Sequence, residues 1–111
     1  MTLITMPFPP ASLSGHSNGH WRRKATVTRK WRAWAFAAAL EAKVEVPADG
    51  DIKIVVRFYP PDRRSDRTNF PNRMKPIFDG IADALKVNDR RFVPSFVFCE
   101  PEAPGKVEIS L

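Results

Sequence analysis

Ile52, Ile54, Val56 and Phe58 alternate with other residues along one short stretch of the chain. A period of two puts all four side chains on one face of an extended strand. The Asp49-Gly50 turn signal precedes the stretch, and Pro60-Pro61, which cannot donate to a strand ladder, closes it at Tyr59. A strand with one apolar face needs a second layer to cover it. Two segments have the pattern to supply that layer. Trp31, Trp34, Phe36, Ala38 and Leu40, set among alanines, read as a helix that begins with Thr28 as N-cap, ends near Lys43 and packs on the sheet. Asn72 to Leu85 reads as the second helix, with Met74, Ile77, Phe78, Ile81 and Leu85 along one face and Pro76 in its first turn.

Thr2 to Met6, Val93 to Cys99 and Val107 to Leu111 read as further strands, the last two joined by Pro101 to Lys106. Phe8 to Lys24 has the prolines, glycines and polar residues of a long basic loop, with Trp21 as an anchor. The resulting β-α-β-α-β-β order predicts an α+β fold, a single small domain over residues 1–111 with one mixed sheet and two helices packed on it. The pattern leaves the order of the strands in the sheet open.

Cys99 is the sole cysteine, so no intrachain disulfide can form and the expected setting is reducing and cytoplasmic. The first ten residues lack a signal-peptide pattern, and no apolar run is long enough to span a membrane. Charge is the more informative quantity. The excess of 18 Lys and Arg over 12 Asp and Glu, a net charge of +6, favours a polyanionic partner. Arg22, Arg23, Lys24, Arg29, Lys30 and Arg32 form one basic cluster, and Arg63, Arg64, Arg67, Arg73 and Lys75 form another. Nucleic acid fits them better than a membrane surface, because no broad exposed apolar helix face accompanies them. His16 and His20 stand near Trp21 without metal-ligand spacing, and read as exposed loop residues or as DNA-stacking ones.

Arg90 with Arg91 make a third cluster, and basic residues surround the acids. Asp62 and Asp66 follow the central strand, Asp79 and Asp83 lie on the second helix, and Asp89 lies just past it. One reading makes each a surface ion pair worth about 0–1 kcal/mol; Lys75 and Asp79 have i, i+4 helix spacing, and Asp83 reads as a solvated residue. The sharper reading is a magnesium site for phosphodiester cleavage, in which carboxylates hold the cation and the basic rim holds the phosphates. Such a site needs both signs, since bare carboxylates repel a polyanion.

Arg63-Arg64-Ser65-Asp66-Arg67-Thr68-Asn69, then Lys75-Pro76-Ile77-Phe78-Asp79-Gly80-Ile81, then Asn88-Asp89, follow one another in a distinctive order. This stretch resembles the core of the RusA family of endodeoxyribonucleases, which resolve Holliday junctions. The family pattern runs from an arginine-rich turn into Asp-x-Asp-Asn, a helix carrying Lys and an Asp-Gly-Leu-like step, and an Asp-Asp pair. Met6-Pro7-Phe8-Pro9-Pro10, with Ser17-Asn18 and Trp21-Arg22 after it, is similar to the family's opening segment, with extra residues inserted.

The resemblance implies a magnesium-dependent, homodimeric enzyme acting on four-way DNA junctions, encoded by a bacterium, phage or prophage. It places the magnesium ligands on Asp66 and Asp89 with Asp79 as the helix aspartate, and the catalytic lysine on Lys75. Arg22, Arg23, Lys24, Arg63, Arg64, Arg67, Asn69 and Arg73 become the groups that hold DNA. Thr68 and Asn88 stand where the family has acids. Neutral oxygens hold magnesium weakly, so a junction-binding protein without efficient cleavage is the alternative on the same scaffold. A small basic RNA-binding or assembly protein would explain the charge but leave the Asp66-to-Asp89 pattern unexplained.

Overall fold

The computed structural model describes residues 2–13 and 21–111. The chain is a small α+β domain with one mixed sheet and two helices. Strand β1 (Leu3–Pro7) leads to helix α1 (Trp21–Ala42), β2 (Ile52–Tyr59), helix α2 (Lys75–Leu85), β3 (Phe92–Phe98) and β4 (Lys106–Ser110). Short 3₁₀ turns occupy Ala11–Leu13, Arg67–Asn69, Pro71–Met74 and Asp89–Arg91. In the sheet the strands lie in the order β1-β4-β2-β3. β2 and β3 run parallel across the α2 connection, and β4 is antiparallel to both β1 and β2.

The alternation seen in β2 decides which face is inward. Ile52, Ile54, Val56 and Phe58 are all buried, as are Ile4 and Met6 of β1 and Val107 and Ile109 of β4. In-register pairing puts Ile109 beside both Val56 and Ile4, so the inward residues of three strands form one continuous floor. Ile77 and Ile81 of α2 and Trp31, Ala35 and Ala39 of α1 cover it. On the opposite face Leu3, Val93 and Val97 remain exposed.

The first helix differs from expectation. It starts at Trp21, ahead of Thr28, so Arg22, Arg23 and Lys24 belong to its first turn rather than to a loop. No proline or glycine interrupts the stretch, and its alanine-rich body lets the helix extend backwards through the basic residues. Its inward face carries Trp31, Ala35 and Ala39, while Trp34, Phe36 and Leu40, expected against the sheet, are 45%, 39% and 53% exposed. The physical reason is the close crossing with α2. A Cβ placed on Gly80 would lie 2.2 Å from the Arg32 carbonyl oxygen and 2.8 Å from Ala35 Cβ. Only a small residue such as Ala35 fits between two backbones that near, so Trp34, Phe36 and Leu40 turn outward while Trp31 stays in the core.

α2 starts at Lys75 after the 3₁₀ turn, with Pro76 in its first turn where the missing N–H costs nothing. It stops at Lys86, which adopts the left-handed conformation (φ 56°). The Val87 N–H then reaches the Ala82 carbonyl at 3.1 Å and the Lys86 N–H reaches Asp83 O at 3.3 Å, a Schellman closure that reverses the chain. β1, β3 and β4 each differ by one residue from the expected bounds. β3 begins at Phe92 because that residue is buried opposite Ile52, and Pro94 is tolerated because β3 is an edge strand.

Candidate active site

Pro60 and Pro61 end β2, and the chain then makes two tight polar turns. Asp62 Oδ1 accepts the Arg64 N–H at 2.9 Å. Asp66 caps the next 3₁₀ turn: its Oδ1 accepts the Thr68 N–H at 3.1 Å and the Thr68 hydroxyl at 2.8 Å. Those two bonds, the hydroxyl first, hold the Asp66 carboxyl below the usual carboxylate range. The turns stay outside the core because Phe70 is driven into it, packing edge-on against Phe8 at 4.9 Å and tilted against Phe58 at 5.5 Å. What remains outside is a hollow of about 390 Å³ whose lining includes Asp62, Arg63, Ser65, Asp66 and Arg67. Arg63, Arg64 and Arg67 are exposed here, with Asn69 half-buried. Arg63 pairs with Glu100 at 2.5 Å across the surface.

Arg73 departs from the phosphate-facing role expected of it. It is 8% exposed, donates from Nη1 to the Pro9 carbonyl at 3.2 Å, and its guanidinium lies 5.2 Å from the Phe70 ring and 5.7 Å from the Phe8 ring. Burial lowers its pKa from the ordinary arginine value. Its work is to tie the segment after β1 to the turn before α2, with the planar cation packed against both rings.

The second cluster forms where α2 begins and where the chain returns after it. Lys75 Nζ donates to Asp79 Oδ1 at 2.9 Å, one helical turn ahead, and also to Asp89 Oδ2. Asp89 reaches this position through the Schellman reversal, and Asn88 fixes it by accepting the Arg90 N–H at 3.0 Å as the cap of the Asp89–Arg91 turn. The Lys75 ammonium holds the Asp89 carboxyl below its ordinary range, and Asp89 with Asp79 raises the lysine in return. Beside them, Asp83 accepts a fork from Arg32 of α1, Nε to Oδ2 at 2.7 Å and Nη2 to Oδ1 at 3.0 Å. Asp83 is therefore paired, and not the solvated residue expected. Asp79, Asp83, Asn88, Asp89 and Arg32 line one open hollow of about 180 Å³.

The structure thus brings Lys75, Asp79 and Asp89 together, while Asp66 lines the other hollow. Arg22, Arg23 and Lys24 lie on the first turn of α1. His16, His20, Ser17 and Asn18 fall outside the described residues. Among the described residues no three His, Cys, Asp or Glu side chains converge as a ready-made metal cage. Magnesium does not require one, since it is commonly held by one or two carboxylates with water and substrate phosphate completing an octahedron. Asp79 and Asp89, two hard oxygen donors already focused on one cation, fit that description. Arg32 and Asp83 were not legible as site residues. The basic run around Arg32 was visible, but its partner lies on another helix and only the crossing brings the two together.

No known family profile matches the chain. An uncharacterized protein of Xylella fastidiosa (strain Temecula1 / ATCC 700964) is 38% identical over 97 residues, which is 84% of this chain and 63% of that protein. The chain therefore spans less than two thirds of the length of this bacterial relative. No described helix is long and apolar enough to cross a membrane.

Proposed function

We propose that this chain is a magnesium-dependent endonuclease that cuts branched DNA at four-way junctions, in the manner of the RusA family. The observation that carries the reading is that Lys75 pairs with both Asp79 and Asp89, which line one open hollow, in a motif order that resembles the family's. Asp79 and Asp89 would hold magnesium, which supplies neutralisation of the scissile phosphate and a more acidic bound water. Lys75 places a positive charge at the same rim, suited to the charge that develops on the leaving oxygen. Arg63, Arg64, Arg67 and Asn69 from the turn after β2, with Arg22, Arg23 and Lys24 from the start of α1, position the DNA backbone. Asp66 contributes by shaping the arginine-rich turn through its cap on Thr68.

A second reading is junction binding without efficient cleavage. It is favoured by Thr68, whose hydroxyl donates to Asp66, and by Asn88, whose side-chain oxygen accepts the Arg90 N–H. The test is incubation of a synthetic four-way junction with the purified protein and magnesium, beside a linear duplex, with Asp89→Asn and Asp66→Asn variants. Symmetric nicking of the junction alone, abolished in Asp89→Asn, is the expected result. Tight binding with no cut in magnesium or manganese selects the second reading.

Symmetric cutting suits a two-fold homodimer, and the edge strand β3 is the surface we assign to it. Natural edge strands are commonly guarded by charge, whereas Phe92–Phe98 carries none and leaves Val93, Val97 and Phe98 exposed. A DNA-acting protein with a free Cys99 belongs in the reducing cytoplasm.

A further inference from the structure

We infer that Arg32 contacts the scissile-strand phosphate at the Asp79–Asp89 hollow, and that Asp83 is the residue that positions it. The inference rests on the nucleic-acid reading above and adds to it a cation from α1.

The placement begins with Gly80. Because that residue has no side chain, α1 approaches α2 closely enough for the Arg32 carbonyl oxygen to lie where a Cβ would be, 2.2 Å from its ideal position. The Arg32 side chain therefore leaves α1 directly above the turn that carries Asp79 and Asp83. It lines the same hollow as Asp79, Asn88 and Asp89.

The fork to Asp83 uses Nε and Nη2, one edge of the guanidinium. Arginine has five N–H donors in a rigid plane, so Nη1 and the second Nη2 hydrogen remain for another acceptor. The side chain is 49% exposed, and solvent or substrate can reach those donors. A freely rotating surface arginine loses entropy on meeting a phosphate; one already held by two charge-assisted bonds loses less. The location also answers an electrostatic need. Asp79 and Asp89 repel a phosphate, and Lys75 between them is engaged with both, so a further fixed cation at the rim helps the polyanion approach. The competing account is a plain ion pair joining two helices, with no part in binding.

Wild type, Arg32→Ala, Arg32→Lys and Asp83→Asn are compared on a four-way DNA junction. Affinity is measured against salt without magnesium, cleavage with magnesium, and thermal midpoint for each. A lost phosphate contact lowers the slope of log affinity against log salt by about 0.9, and that fall is expected in Arg32→Ala, with cleavage slower by about a hundredfold, as for removal of one transition-state donor. Arg32→Lys keeps the charge and the slope but cuts more slowly, because an ammonium cannot make the fork. Asp83→Asn also keeps the slope and cuts about tenfold more slowly, as misplacement of a contact group does.

An unchanged slope in folded Arg32→Ala, even with a lower thermal midpoint, overturns the inference and leaves a helix-joining ion pair. If wild type cuts and Arg32→Ala cuts equally well, this inference fails alone. If wild type binds without cutting, the slope decides by itself. Should wild type neither bind nor cut, the nuclease reading fails and takes this one with it.

Discussion

At the residue scale the most informative group is Asp89, because its charge is set chiefly by one named neighbour, Lys75. The Lys75 ammonium lowers its pKa first, with Asp79 adding to the effect. A carboxylate whose folded pKa is depressed contributes stability that is fully present above its unfolded value, about 3.9, and is lost as pH falls through the lower folded value. Lys75, raised by Asp89 and Asp79, behaves in the opposite sense: its contribution is complete below about 10.4 and is lost as pH rises through the raised value. The difference in urea midpoint between wild type and Asp89→Asn should therefore be constant from neutral pH down to about 4 and shrink below it. A difference that persists unchanged at pH 2 would mean that Asp89 acts through packing rather than charge. Asp66 follows the same acid-side sign, but through Thr68, so the Asp89 substitution leaves its share in place.

Elements impose a different kind of constraint, and here it is the crossing of α1 over α2. Replacing Gly80 by Ala gains about 1 kcal/mol of helix propensity. Against that stands a Cβ within 2.2 Å of the Arg32 carbonyl oxygen and 2.8 Å of Ala35 Cβ, which forces backbone rather than a flexible side chain to move. Overpacking of this kind costs about 1–3 kcal/mol or more, and with a backbone atom in the way the upper end applies. Gly80→Ala is expected to lower the unfolding free energy by about 2 kcal/mol net, read from denaturant titration. A neutral or stabilising result would place the helices farther apart than described. The same crossing explains why Trp34 and Phe36 of α1 face outward, and why Lys30 comes to lie over the Trp34 ring at 4.9 Å on the surface.

For the whole molecule the question is assembly. A chain of charge +6 repels its copies over most of its surface, so an uncharged edge strand is where two copies can approach. Sedimentation of wild type should give a dimer at micromolar concentration, and Val97→Lys on β3 should shift it to monomer with little loss of thermal stability. A dimer that survives Val97→Lys places the contact elsewhere. How much of this was legible beforehand varies with the range of the interactions. Alternation in Ile52–Phe58 and the three-and-four spacing of Met74, Ile77 and Ile81 settled element types and the α+β class, because periodicity is a local property of the chain. Lys75 with Asp79 was equally readable, being one helical turn apart. The order β1-β4-β2-β3, the burial of Arg73 against two phenylalanines, and the fork between Arg32 and Asp83 were decided only by tertiary structure. Each depends on residues distant in sequence meeting at a helix crossing or across a strand pair, and no local pattern of apolar or charged residues encodes that meeting.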